Sequence, residues 1–144
     1  MTALPRRLAV LGAVLTGVAL GVAGGRIRRL EVTGESMRPE LEPGDRVLVW
    51  RRRQVRDGDV VAARDPRRPA RIMVKRVAGR SGDGWLLVGD SPDASTDSRT
   101  FGPVSHLLVL GPVFYRYHPP ERAGRVRRGA DSGAARPGRD GPAG

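Results

Sequence analysis

Three stretches of this chain carry side chains able to do nucleophilic or proton-transfer chemistry. Ser36 lies in Gly34-Glu35-Ser36-Met37-Arg38-Pro39, between a glycine and a proline. Such a turn presents a hydroxyl to solvent and leaves backbone N–H groups free to hold an oxyanion. The stretch is neither a G-x-S-x-G elbow, since Arg38 stands where the second glycine would be, nor S-x-x-K, since Pro39 stands where that lysine would be. Taken alone, a turn serine is as readily a local backbone cap.

Lys75 is the second. It is the only lysine among 26 Lys+Arg residues, within the apolar run Ile72-Met73-Val74-Lys75-Arg76-Val77. Guanidinium keeps its proton in a protein, whereas a buried amine can give its proton up. Strand alternation places Met73, Lys75 and Val77 on one face, where apolar neighbours disfavour the ammonium and would make the amine a competent base near neutrality. The alternative is a lysine that extends along its stem to water, with Arg76 on the opposite face.

The third is the polar loop Gly89-Asp90-Ser91-Pro92-Asp93-Ala94-Ser95-Thr96-Asp97-Ser98-Arg99, whose hydroxyls could orient a neutral lysine. Plain Asx and Ser turns are one alternative, and a calcium loop is another. Calcium fits less well, because Arg99 can pair with Asp97 and no Gly-centred acidic spacing recurs. No metal or cofactor is expected.

The elements that must position these groups read as short strands. Apolar runs punctuated by Gly, Pro and Asp predict strands at Leu30 to Thr33, Arg46 to Trp50, Asp59 to Ala63, Arg71 to Ala78, Trp85 to Val88 and Leu107 to Tyr117. Turns fall at Pro43-Gly44-Asp45, Asp57-Gly58, Asp65-Pro66, Gly82-Asp83-Gly84 and Ser91-Pro92-Asp93.

The ends differ in character. Leu8 to Gly25 has no charged residue and is bracketed by Arg6-Arg7 and by Arg26, Arg28 and Arg29. At 1.5 Å per residue it just reaches across a bilayer with help from its flanks, and is read as an uncleaved anchor in residues 1–29. A cleavable signal peptide ending near Gly21-Val22-Ala23 is the rival. From Pro119 to Gly144 apolar residues are few and without period, so a disordered basic tail is expected. The middle, 30–118, is then one small β domain. A formal charge of +11 ordinarily raises nucleic acid as a partner, but Arg-biased composition explains much of it and aromatics for base stacking are scarce. With no cysteine there are no disulfides and no thiolate chemistry.

Taken in order, the three stretches resemble the signal peptidase I family of serine proteases with a Ser/Lys dyad. GESMRPELEPGDRVLV is similar to its nucleophile box, GDVVAARDP to the following strand, VKRVAG to its lysine box, and GDSPDASTDSRTFGPV to its closing box. The short gap between the last two is most similar to the compact mitochondrial inner membrane protease type; the nickel superoxide dismutase maturation protease has a similar STDSR-containing loop. The resemblance implies a coiled antiparallel β domain behind one N-terminal transmembrane helix, with Ser36 as nucleophile and Lys75 as general base. It also implies that Ser95 holds the lysine amine and that Asp97 and Arg99 brace the closing loop. Gly34 stands where some members have an oxyanion-donating serine, so the hole would rely on backbone N–H groups, chiefly that of Ser36, beside Met37, or on another donor that the sequence does not identify. Glu40, Ser91-Pro92 and Arg80-Ser81 also depart from the family's usual residues.

The resulting expectation is a single-pass membrane protease with its catalytic domain on the outer face. It would bind preproteins as extended peptides, contact lipid through residues 8–25 and remove their N-terminal signal or leader peptides. The narrower alternative is a dedicated maturation protease for nickel-type superoxide dismutase. An alternative of another class is a non-catalytic basic protein binding nucleic acid or a membrane surface. A repressor-type Ser/Lys autoprotease needs a DNA-binding module, and no helix-turn-helix pattern precedes Ser36.

Overall fold

The period-2 runs form strands that pair side by side in one antiparallel sheet. The computed structural model describes residues 24–129. Its strands are β1 (Ile27–Glu31), β2 (Arg46–Trp50), β3 (Val60–Asp65), β4 (Arg68–Ser81), β5 (Gly84–Val88), β6 (Val104–Ser105), β7 (Val109–His118) and β8 (Gly124–Arg125), with one short helix, α1 (Ser98–Phe101). The order across the sheet is β1-β2-β7-β3-β4-β5-β6, and β8 pairs with β7.

Alternation along the central strands sends side chains into two cores on opposite faces. From β3, Val60 and Ala62 join Val32, Met37, Leu41, Val47, Val49 and Val113, with Ile72 and Val74 of β4 packed against them. Val61 and Ala63 instead join Met73, Val77, Leu87 and Val104. A strand covered on both faces cannot slip by one residue without driving its apolar set into the wrong core, so this register is strongly fixed. Where β7 leaves β2 to pair with β3, Gly111 adopts φ +148° directly against the Trp50 carbonyl, leaving no room for a Cβ.

Several boundaries depart from the sequence reading. β1 begins at Ile27, so Arg28 and Arg29, read as flanks of the apolar run, are strand residues. β4 is longer than expected because it serves two neighbours, pairing with β3 through Arg76 and with β5 from Arg76 onward. Leu107 and Leu108 lie in a 3-10 turn, and Leu107 stays exposed. Residues 119–129, read as part of a disordered tail, instead contain a 3-10 turn at Pro120–Arg122 and β8. Val126 packs on the first core, while Arg122 reaches the buried Asp45 carboxylate at 3.2 Å. Few apolar residues suffice there because ion pairs and β7 pairing supply the rest. The apolar run 8–25 and the tail from 130 lie outside the described residues, save Gly24 and Gly25. Among the described residues no helix is long and apolar enough to cross a membrane.

Candidate active site

Ser36 is carried by a turn pinned at both ends. Met37 and Leu41 are buried in the first core, and Leu41 N–H donates to the Met37 carbonyl at 2.9 Å, closing one helical turn just after the serine. Beyond it, Asp45 accepts from the Glu42 N–H at 2.9 Å, and Arg116 donates to the Glu40 carbonyl at 2.7 Å. The departure at Glu40 has a structural use, since its carboxylate accepts from the Arg127 N–H at 2.7 Å and docks residues 119–129 on this turn. Gly34 is exposed, with open space where a Cβ would stand.

Lys75 is buried, 5% exposed, between Met73 and Val77, as alternation predicts. Its Nζ donates to Ser95 Oγ at 2.8 Å, and Ser95 Oγ donates in turn to Asp97 Oδ2 at 2.6 Å. Burial pushes the amine below its ordinary value; the Asp97 charge opposes this, while Arg71, Arg99 and Arg67 add to it. Removal from water outweighs the nearby carboxylate because Ser95 stands between amine and carboxylate, and Arg99 already neutralises that carboxylate.

The closing loop is organised around Asp97. Burial works against its charged form. Hydrogen bonds from Arg99, from Ser95 and from the Gly89 and Arg99 N–H groups outweigh that and hold the carboxyl well below the usual carboxylate range. Arg99 Nη2 lies 2.5 Å and the Gly89 N–H 2.8 Å from Oδ2. Asp97 also caps α1 by accepting from the Arg99 N–H, and Ser98 Oγ accepts from the Leu87 N–H at 2.9 Å. Both Asp97 carboxylate oxygens are thus engaged inside the protein. Among the described residues no three acidic or histidine side chains converge as a metal site.

Two contacts join this loop to the serine turn. The Ser91 N–H donates to the Ser36 carbonyl at 2.9 Å. Gly89 packs so tightly against Ser95 and the Ser36 carbonyl that a Cβ would lie 2.7 Å from that oxygen. Arg76 holds Asp90 by a two-point ion pair of 2.6 and 2.7 Å, fastening the lysine strand to the same loop. The sequence reading assigned no role to Arg76 or Asp90; the signal was their adjacency to Lys75 and to Gly89.

Ser36 and Lys75 line one cleft of about 150 Å³. One wall is the segment from Glu31 to Gly34 with Ser36 and Met37, the other runs from Arg71 to Lys75, and Ala94 and Thr96 lie at its end. Asp65, Arg67 and Arg71 also line it and were missed in the sequence. Neither His106 nor His118 does.

A small β domain in which a turn serine and a buried lysine line one cleft is an arrangement that peptidase chemistry can use, and comparison with known proteins gives the class. Residues 6–85, more than half of the chain and including Ser36 and Lys75, match the family described as "Signal peptidase, peptidase S26". The chain belongs to that family, and it is a serine-type peptidase, a hydrolase of peptide bonds. It is 36% identical to mitochondrial ATP-independent inner membrane protease subunit 1a of Arabidopsis thaliana, with 70% of this chain and 76% of the relative covered. It is 34% identical to mitochondrial inner membrane protease subunit 2 of Schizosaccharomyces pombe, over 66% of this chain and 67% of the relative. Subunit 1 of Homo sapiens is 29% identical, with 66% and 72% covered.

Proposed function

We propose that this protein removes N-terminal signal or leader peptides from exported proteins by a Ser36/Lys75 dyad. The observation that carries the reading is the buried Lys75 amine, 2.8 Å from Ser95 Oγ, on the wall of the cleft that Ser36 also lines. Because the Ser95 proton goes to Asp97, its oxygen accepts an N–H from Lys75. A neutral amine so held keeps its lone pair free for the Ser36 hydroxyl proton.

Lys75 takes that proton as Ser36 Oγ bonds to the scissile carbonyl carbon, whose oxygen gains negative charge and is held by backbone N–H groups of the serine turn. Collapse breaks the C–N bond, and Lys75 passes the proton to the leaving amine. The acyl-enzyme is then hydrolysed by water, deprotonated by the same amine. Substrate enters as an extended strand. β4 has β3 on one side from Ile72 to Arg76 but β5 on the other only from Arg76, and β1 pairs only with β2, so each cleft wall offers a free edge to a peptide.

Residues 8–25 serve as a single-pass anchor, with the catalytic domain on the outer face. Their lack of charge and the position of Gly24–Gly25 just before β1 support the anchor, and the outer face rests on the family resemblance. A role dedicated to nickel-type superoxide dismutase would use the same machinery with one substrate, whereas a non-catalytic basic protein has no use for the buried lysine.

The test is to incubate detergent-solubilised protein with a preprotein and find the new N-terminus by mass spectrometry. Wild type produces it, while Ser36→Ala leaves the precursor intact, a loss on the order of a thousandfold or more, with unchanged thermal unfolding. Processing by the alanine variant contradicts the assignment.

A further inference from the structure

We infer that Arg71 is a specificity-determining residue that selects an acidic side chain about four positions from the scissile bond of the substrate. This rests on the peptidase reading above and names a substrate feature that the dyad does not require.

Arg71, Met73 and Lys75 alternate onto the same face of β4, and all three line the cleft. Four residues of strand separate Arg71 from Lys75, roughly 13 Å. A peptide running along the free edge of β4 therefore brings to Arg71 the residue about four places from the one beside Lys75. The guanidinium is available to it. The only carboxylate within ion-pair distance of Arg71 among the described residues is Asp65, at 4.0 Å. That carboxylate is already taken, since Arg67 donates to it from its backbone N–H at 2.9 Å, from Nε at 3.1 Å and from Nη2 at 3.0 Å. Arg67 is further fixed by stacking over the Phe101 ring, whereas the Arg71 side chain is 62% exposed. On the facing wall Glu31 lies 3.6 Å from Arg46. One cleft end thus presents two guanidiniums against one buried carboxylate, an excess of positive charge facing the peptide's path.

An exposed pair of this kind contributes modestly, so attraction of an acid and repulsion of a base together correspond to about a 5- to 10-fold difference in kcat/KM. The experiment uses the full chain in detergent and a peptide series with Glu, Gln or Lys at each of positions three to six on either side of the scissile bond. Wild type should prefer Glu over Lys at one such position, less so at raised salt; Arg71→Gln should bring the ratio close to one, and Arg71→Glu should invert it. The ratio is read because Arg71 also bears on the protonation of Lys75, and a uniform change of rate cancels. If wild type cleaves all the peptides equally, or both variants keep its ranking, the inference is overturned and the peptidase reading stands. If wild type cleaves none of them nor any preprotein, both fall.

Discussion

Lys75 and Ser95, 20 residues apart in the chain, meet through a 2.8 Å hydrogen bond in which the amine donates and the hydroxyl accepts. The direction of that bond follows from Asp97, which takes the Ser95 proton at 2.6 Å. A serine that must accept from the amine cannot also donate to it, so the amine's lone pair is left for another hydroxyl.

Asp97→Asn tests this chain of bonds through its pH dependence. The carboxylate favours the ammonium form of Lys75, so removing its charge lets the amine lose its proton at lower pH, and the rising limb of rate against pH shifts to the acid side. Removing the charge of the buried Asp97 carboxylate, which accepts from Ser95, Gly89 and Arg99, also lowers stability. Because the carboxyl is held below its ordinary value, that stability is present above about pH 4 and lost as pH falls through the folded-state value. Wild type should therefore lose more stability on acidification than the asparagine variant. Rate profiles and thermal melts at several pH values check both.

Truncation separates residues 119–129 from the rest of the C-terminal segment. Ending the chain at Gly129 should leave the melting temperature of the domain unchanged. Ending it at His118 removes Val126 from the first core, Arg122 from Asp45 and the Arg127 N–H from Glu40, and should cost about 2 kcal/mol or more. Denaturant unfolding of the two shortened proteins measures the difference.

Deleting Met1 to Ala23 should spare the cleavage of short peptides while sharply lowering that of bilayer-embedded preproteins, because an anchor supplies effective concentration and not chemistry. Equal loss on both substrates would make the segment part of the catalytic fold. Equal retention would make it a removable signal peptide.

What could be read in advance was decided by pattern and by contrast. Alternation in Ile72 to Val77 placed Lys75 inward because β4 is regular there, and a single lysine stood out against arginines. The same abundance concealed Arg71 and Arg76, since one arginine among many carries no signal until tertiary structure sets it beside Asp65 or Asp90. Residues 119–129 escaped because their hold on the fold comes from β7 pairing and ion pairs, neither of which leaves an apolar period. The boundaries of β1 and β4 were misplaced because each extends into arginine-rich sequence that reads as polar flank.

The central claim is that a neutral Lys75 activates Ser36, and Lys75→Arg tests it most directly. Arginine keeps a long basic side chain of similar reach, but its guanidinium stays protonated at any working pH. The measurement is single-turnover cleavage of one preprotein by wild type, Lys75→Arg and Lys75→Ala across pH, alongside thermal unfolding of each. The account predicts a wild-type rate that rises through one ionisation below that of a free lysine, with both variants inactive although the arginine variant is folded. More than a few per cent of wild-type rate in folded Lys75→Arg would contradict it.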